Sequence, residues 1–416
     1  MIPLRTFLSQ VNIICYLIFL AIFFSEHGFK RFSIFQPVVL NSTSELSFWD
    51  DIRILRNYDK SDLKLSRHLY RLFYWVNRSL IENYKFTFYH DFSSCATCNF
   101  NPHNPTTVRD DSRDVVIGFL IQRMVGLVPY VQSLRTTHSK AQIALFVDKA
   151  SKEKILSQTN TFAADCGINL IEIGEYQTVQ VKRYIYLVKQ ITTSIFLNSH
   201  QNLFNRVLIS DITDVIFQGN PFYISYPDEK NTMVMSTELS MKHFGLLPNG
   251  RRIREYKILE IYGENEKGRY VNVTKYFDPS RQYYNVGVIM FHSSLALWYI
   301  NEMMTALNSI NRSQVDRLDQ LNVRIEEQCL HNYVLYEKML PYRKITIYDD
   351  GPNLEFFAPW KPGFNKTQIF PDFQINGSYA LIYHCVYHIQ HYCKSIAPKC
   401  PNIYHIHPFV RCSHIG

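Results

Sequence analysis

The chain has 416 residues, of which 46% are hydrophobic and 15% aromatic. That is enough for one large folded domain with a stalk or lead-in segment. The formal net charge of +8 is small for this length, and Lys and Arg are scattered among acidic residues. The composition therefore argues against nucleic-acid binding, while a basic face toward an anionic substrate stays open.

The N-terminus carries an apolar segment that suits a membrane. Residues 11–24, VNIICYLIFLAIFF, hold no charged side chain, and extension back to Phe7 gives a segment that approaches the ~30 Å hydrocarbon core. No small-x-small cleavage site follows cleanly, which favours an uncleaved signal-anchor over residues 7–24. Residues 1–6 would then be a cytosolic tail and the remainder would be lumenal. A cleaved signal peptide is the alternative, and the flanking basic residues distinguish the two sides only weakly.

Two further features suit a lumenal chain. Asn-x-Ser/Thr glycosylation motifs begin at Asn41, Asn77, Asn272, Asn311, Asn365 and Asn376. Eight of the nine cysteines lie outside the apolar segment, an even number that suggests disulfides whose pairing the sequence leaves open. We interpret the Cys95-x-x-Cys98 motif as disulfide-forming rather than redox-active or zinc-binding.

Residues 25–112 are mixed in composition and are predicted to be a stem or lead-in. From residue 113, β-branched apolar runs alternate with helical patterns. The predicted elements are strands at 113–121, 141–149, 168–174 and 206–210, with helices at 129–138 and 181–196. This alternation predicts an α/β fold with parallel strands that are covered on both faces.

The second half of the chain adds more elements of both kinds. Strands are predicted at 231–238, 283–294, 345–350 and 379–389, and helices at 295–310 and 324–340. Residues 393–416 hold three cysteines and are predicted to be a Cys-rich tail. The α/β domain is accordingly expected to span residues 113–392.

Two carboxylates follow the strand at 206–210. In RVLISDITDVIFQGNPF (206–222), Asp211 and Asp214 stand between apolar runs, where burying charge is costly. Ligands of α/β proteins bind beyond the carboxyl ends of the strands. Paired carboxylates there suit a hard divalent cation, Mn²⁺ or Mg²⁺, that also binds phosphate oxygens. The alternative is that both aspartates cap turns.

This segment, with the order of elements before it, resembles the metal-binding segment of GT-A fold glycosyltransferases. These enzymes use nucleotide sugars, and many are single-pass type II membrane proteins of the Golgi. In the family an apolar strand ends in a DxD motif, followed by apolar residues and often a turn ending in Pro. Here the spacing is D-x-x-D, a form that some relatives resemble. Asp214 corresponds by position to the last Asp of the motif, and Asp211 would reach the ribose, or the metal through water.

Further segments resemble the family in the same order along the chain. VIGFLI (116–121) resembles the first strand, which packs the nucleotide base. The helix with Arg183 and Tyr184 resembles the one from which an Arg approaches the donor. YYNVGVIMF resembles an Asn-x-Gly strand that would place Asn285 and Gly287 near the sugar pocket.

Two late segments complete the resemblance. EEQCLHNYVLY resembles an acid-amide helix start, with Glu327, Gln328 and the later Asn332 at the matching positions. LIYHC resembles the late strand whose His completes the metal site in several retaining members, which makes His384 the third candidate ligand. The resemblance implies a GT-A-like mixed, mainly parallel sheet flanked by helices.

Each of these residues also has a purely structural interpretation. Arg183 could be a solvated helix charge, and Asn285 with Gly287 could form a β-bulge. Glu327 and Gln328 could be the acidic first turn of a helix. His384 could be a core histidine.

The resemblance implies a metal-dependent hexosyl- or pentosyltransferase in the Golgi or ER membrane. It would move a sugar from a nucleotide donor, most simply a UDP-sugar, to a hydroxyl of a glycan or glycoprotein. The ion would neutralise charge on the departing diphosphate. If His384 is a ligand, the resemblance leans toward retention, with Asn285, Glu327 or Gln328 stabilising the sugar cation. Inversion would require a base, for which Glu327 is the candidate.

Two other classes of protein compete with this interpretation. One is a non-catalytic lumenal protein that keeps the fold and binds glycan or nucleotide without turnover. The other is an aspartate-nucleophile phosphatase or phosphotransferase. That chemistry expects acids two residues apart at the first strand, whereas Asp211 and Asp214 are three apart and follow several strands.

Overall fold

The structure is a computed structural model, and the residues it describes fall into thirteen stretches. They are 76–104, 109–121, 125–158, 161–175, 185–237, 282, 284–308, 327–342, 344–348, 356–357, 368–375, 378–384 and 395–400. Within these stretches, no helix has the length and apolar character needed to cross a bilayer. The predicted signal-anchor, Arg183, Tyr184 and all glycosylation motifs except the one at Asn77 lie outside them.

The elements follow the predicted order closely. The strands are β1 Val115–Leu120, β2 Gln142–Val147, β3 Ile168–Glu172, β4 Arg206–Ser210, β5 Val215–Phe217, β6 Thr232–Thr237, β7 Tyr284–His292, β8 Thr346–Tyr348, β9 Phe356–Phe357, β10 Gln374–Ile375, β11 Ser378–Tyr379 and β12 Ile382–His384. The helices are α1 Arg78–Glu82, α2 Leu127–Thr136, α3 Lys149–Gln158, α4 Phe162–Asp165, α5 Ile185–His200, α6 Ser293–Asn308 and α7 Glu327–Val334. A π-helical turn, Leu335–Met339, continues α7.

Seven strands form the central sheet in the order β3-β2-β1-β4-β7-β6-β8. The β3–β2, β2–β1, β1–β4 and β6–β8 pairs are parallel, whereas β7 is antiparallel to both β4 and β6. The α/β prediction is confirmed at this level: the sheet is mixed, mostly parallel and flanked by helices. The reversed direction of β7 was not predicted, because strand direction depends on where the chain re-enters the sheet rather than on local sequence.

The central strands are buried because their apolar residues face helices on both sides of the sheet. All residues of β2 and β4 are buried, which agrees with the continuous apolar runs that parallel sheets require. Helix α2 is buried along its length. This packing fixes the carboxyl ends of β1, β2 and β4 along one edge of the sheet.

A second sheet of three strands, β5-β12-β9, brings the C-terminal part of the domain beside the aspartates. Strand β12 is antiparallel to β5, with His384 opposite Val215. Gln218 holds the same join, since its main-chain N–H donates to the Leu381 carbonyl at 2.8 Å and its side-chain amide to the Ala380 carbonyl at 2.6 Å. In the described part of the strand predicted at 379–389, the chain forms two short strands, β11 ending at Tyr379 and β12 over Ile382–His384. Residues 385–389 lie outside the described stretches.

Residues 84–92, within the predicted lead-in, are held against the sheet by two side-chain amides. Asn169 of β3 accepts from the Thr87 N–H at 2.9 Å and donates to the Thr87 carbonyl at 3.0 Å. Gln142 of β2 makes the same pair of bonds to Tyr89, at 2.9 and 3.0 Å. The amides thus provide the donor and acceptor that a neighbouring strand would otherwise supply.

Two disulfides lie in this part of the structure. Cys95 pairs with Cys166, and Cys98 pairs with Cys400 across 302 residues. The two cysteines of the C-x-x-C motif therefore bind separate distant partners. Both bonds tie the segment before residue 113 to the sheet and its C-terminal covering.

Candidate metal centre

The turn between β4 and β5 carries both aspartates, and its two middle residues pack against glycines of neighbouring segments. Ile212 is 2% exposed and packs over Gly118 of β1, where an added Cβ would stand 2.3 Å from the Ile212 Cδ1 atom. Gly126, with φ of 84°, lies under the same turn, and its Cβ would stand 2.6 Å from the Thr213 carbonyl oxygen. The two residues between Asp211 and Asp214 thus anchor the turn.

Three potential ligand atoms converge at this turn. The Nε2 atom of His384 lies 3.5 Å from Oδ2 of Asp211 and 3.7 Å from Oδ1 of Asp214. These three side chains form a group whose ligand atoms all lie within 4.8 Å of one another. His384 reaches the aspartates because the β12–β5 register sets it opposite Val215, the residue after Asp214.

The cluster is enclosed on one side and open on the other. Asp214 and His384 are each 6% exposed, whereas the Asp211 side chain keeps 40% of its surface exposed. A ligand would therefore approach from the Asp211 side.

Gly287 and Asn285 lie directly behind the cluster. The carbonyl of Gly287 accepts the Asp211 N–H at 2.7 Å, and its missing side chain leaves room for the imidazole of His384. The Asn285 side-chain oxygen accepts the Gly287 N–H at 2.7 Å. In the structure both residues support the candidate ligands. The β6–β7 register is also irregular here: Met235 pairs with Ile289 and Thr237 with Tyr284, so the extra residues lie in β7 and include Asn285 and Gly287. The β-bulge interpretation of these two residues therefore also fits the structure.

A buried lysine joins the cluster to helix α7. The Nζ atom of Lys189, on α5, lies 3.0 Å from Oδ1 of Asp211 and 3.3 Å from Oε1 of Glu327. The Lys189 and Glu327 side chains are each 6% exposed, and Gln190 also donates to Oε1 of Glu327. The sequence analysis did not select Lys189, although the helix predicted at 181–196 carries three basic residues, Lys182, Arg183 and Lys189, which were the available signal.

The acidic groups have unequal pKa values. Burial raises the pKa of Asp214 to about 6, against the opposing effect of His384. Burial likewise raises the pKa of Glu327 to about 7, although Lys189 acts to lower it. For Asp211, partial burial would raise the pKa, but the Lys189 ammonium and His384 outweigh it and hold the pKa well below its usual range. Asp211 is therefore the permanent anion of the cluster.

The environment of the Asp214 Oδ1 atom is the feature that best fits a bound cation. It is buried, and no residue in the described stretches gives it a hydrogen bond. A buried carboxylate oxygen without a donor is costly, and a cation in contact with it would remove that cost. Two carboxylates and one imidazole suit Mn²⁺ or Mg²⁺, and the nitrogen ligand favours Mn²⁺ of the two.

The other candidate residues have different environments. Gln328 is half-buried, and its main-chain carbonyl accepts from Asn332 at 2.9 Å. The Asn332 side chain also bridges the N–H and carbonyl of Tyr284, each at 2.9 Å, which fixes α7 to the start of β7. Asn77 is exposed and caps α1 by accepting the Leu80 N–H at 3.3 Å.

Comparison with known proteins adds no relative: no protein-family model matches the chain, and no curated protein matches it significantly. The fold and the site therefore define the class of protein: an α/β protein with a candidate metal centre at the carboxyl end of a central parallel strand.

Proposed function

We propose that the protein is a metal-dependent glycosyltransferase with a GT-A-like arrangement of its sheet. It would transfer a sugar from a nucleotide donor, most simply a UDP-sugar, to a hydroxyl of a glycan or glycoprotein. The observation that carries the proposal is the cluster of Asp211, Asp214 and His384 at the carboxyl end of β4, where α/β proteins bind ligands. The resemblance of the surrounding segments to that family supports it.

The three side chains have distinct parts in the proposed reaction. Asp214 offers the buried oxygen that lacks a donor, Asp211 offers the most persistent negative charge, and His384 offers a nitrogen ligand. When bound, Mn²⁺ or Mg²⁺ supplies positive charge that stabilises the diphosphate as it departs. The exposed side of Asp211 leaves room for that diphosphate.

The position of Glu327 supports retention of configuration rather than inversion. Inversion needs a base that faces the acceptor hydroxyl, but the Glu327 carboxylate is buried between Lys189 and Gln190. We therefore assign Glu327 to holding Lys189. Asn285 is assigned to supporting the strand behind the ligands, since its side chain is bonded to Gly287.

A lumenal setting in the Golgi or ER is part of the proposal. The Cys95–Cys166 and Cys98–Cys400 disulfides suit an oxidising compartment. The exposed Asn77 motif suits glycosylation, and the apolar segment at residues 7–24 would hold the protein in the membrane.

The test is donor hydrolysis by the full-length protein. A panel of UDP- and GDP-sugars would be incubated with Mn²⁺ or with a chelator, for the wild type and for Asp214→Asn. We expect one donor to be hydrolysed only with metal, and the variant to lose about 100-fold or more, since electrostatic groups at such sites carry effects of that size. Asp91→Asn is the matched control and should behave as wild type, since Asp91 is exposed and accepts the N–H of nearby Ser93.

The same experiment can contradict the proposal. Metal-independent binding of a nucleotide or glycan, with no donor hydrolysed, would favour the non-catalytic binding protein and leave the aspartates as turn residues. Equal turnover by the wild type and Asp214→Asn would remove the metal centre from the mechanism.

A further inference from the structure

The two oxygens of Asp211 face different partners. Oδ1 lies 3.0 Å from the ammonium of Lys189, and Oδ2 lies 3.5 Å from His384 Nε2. One oxygen is thus engaged by a cation that the chain itself provides. The other remains on the side of the candidate ligands.

The Lys189 ammonium is fixed in place from behind. Its second partner is Glu327, at 3.3 Å, and both side chains are 6% exposed. Glu327 begins α7, which Asn332 fastens to β7. Movement of the ammonium away from the pair would leave the buried Glu327 carboxylate without a counter-charge, which is a costly state.

This fixed charge changes what the site attracts. Asp211 and Asp214 can present two negative charges to an ion, and the ammonium beside them offsets one. A bare divalent cation is repelled by the ammonium, and the repulsion is strong where water is excluded. A diphosphate that accompanies the cation is attracted by the same ammonium.

We propose, on the basis of the function proposed above, that Lys189 is a positioning residue whose fixed charge weakens binding of a bare divalent cation at Asp211, Asp214 and His384. The consequence is that the site holds the ion tightly only together with an anionic diphosphate. Metal and donor binding are therefore coupled, and coupling of this kind is reciprocal.

The test is a titration of the full-length protein with Mn²⁺, with and without UDP. Electron paramagnetic resonance of the free ion measures how much Mn²⁺ is bound. In the wild type we expect UDP to tighten Mn²⁺ binding by about tenfold or more, within the usual range of such couplings. Lys189→Met should tighten Mn²⁺ binding without UDP by about tenfold and should reduce the effect of UDP. Lys189→Arg, which keeps the charge, should retain the wild-type coupling.

Two controls separate this effect from misfolding and from a general change of charge. Lys152→Met removes the same charge from a pair with Glu172, 3.2 Å apart on α3 and β3, and should leave Mn²⁺ binding unchanged. If Lys189→Met does not fold, Lys189→Met/Glu327→Gln removes the ammonium together with its buried partner. That double variant should bind Mn²⁺ more tightly than Glu327→Gln alone.

The possible results separate the two proposals. Unchanged or weaker Mn²⁺ binding by the folded lysine variants, in the absence of UDP, would overturn the role of Lys189. If those variants bind Mn²⁺ more tightly but neither UDP nor GDP alters wild-type affinity, the role of Lys189 stands and the nucleotide donor is overturned. Loss of Mn²⁺ binding in Asp214→Asn would confirm that the measured site is the one described.

Discussion

Gly287 and His384 occupy one space between them: a Cβ atom on Gly287 would stand 2.1 Å from Cε1 of the imidazole. The two residues come from different sheets, β7 of the central sheet and β12 of the smaller one. A glycine in β7 is therefore required for the histidine to reach the aspartates.

This relationship predicts the effect of Gly287→Ala. The added methyl group should displace the imidazole, and Mn²⁺ affinity should fall by about 10- to 100-fold, the usual cost of disturbing the groups that orient a metal ligand. The measurement is Mn²⁺ titration of the folded variant. Adding Gly287→Ala to His384→Ala should cause little further loss, because the methyl group then has no imidazole to displace. A full additive loss in the double variant would contradict this explanation.

The second prediction concerns the buried pair of Asp114 and Arg206 at the opposite end of β4. Asp114 accepts the Arg206 N–H at 3.0 Å and two guanidinium bonds at 3.1 and 2.6 Å, and the residues are 1% and 2% exposed. Asp114→Asn should lower the free energy of unfolding by about 3–5 kcal/mol, since it leaves a buried guanidinium without its counter-charge. Urea unfolding measures the loss.

Asp110→Asn supplies the control for that prediction. Asp110 is exposed and bonds to nearby Ser112, so its replacement should change stability by only about 0.5 kcal/mol or less. Similar losses of unfolding free energy for the two variants would mean that the buried pair stabilises the fold no more than an exposed aspartate does.

The third prediction concerns the amide that holds residues 84–92 against β3. Asn169→Asp keeps an acceptor for the Thr87 N–H but removes the donor to the Thr87 carbonyl, at a residue that is 1% exposed. We expect a loss of about 1–3 kcal/mol, the cost of an unsatisfied buried group. Limited proteolysis should then cut near Thr87 sooner than in the wild type. Asn198→Asp, on the exposed face of α5, should show neither change.

The fourth prediction follows from the pKa of Glu327, which burial raises from 4.5 to about 7 despite Lys189. Between these values the folded protein keeps a proton that the unfolded chain has lost. Stability therefore falls as pH rises through this window. Glu327→Gln removes this dependence. The melting temperature of the variant, relative to that of the wild type, should therefore rise by several degrees between pH 4.5 and pH 7. Melting curves with a chelator present measure it, and a constant difference across the window would contradict the assignment.

The sequence predicted well where local pattern determines structure. Runs such as Val115–Leu120 and Arg206–Ser210 are strands because β-branched apolar residues follow one another without a break. The aspartates could be located as a candidate site because charge at the end of such a strand needs a partner. Helix α3, Lys149–Gln158, was missed because it lacks a clear apolar stripe.

The sequence predicted poorly where the partner lies far along the chain. Lys189 on α5 meets Glu327 on α7 only in the folded protein, because the two residues lie far apart along the chain. No local pattern encodes that meeting. The close approach of Gly287 to His384 was likewise not predicted, because the register of a different sheet sets that contact. Such contacts arise from tertiary packing, and periodicity alone cannot supply them.

The β12–β5 pairing also orders events during synthesis. The ribosome synthesises the turn with Asp211 and Asp214 well before His384. It also synthesises Cys98 well before its partner Cys400, which lies 302 residues further along the chain. A nascent chain that has already folded its first four central strands therefore still lacks the third candidate ligand and one disulfide. On the proposed function, metal capture would be a late event in the maturation of the protein, and a prematurely terminated chain would carry the acidic turn without His384.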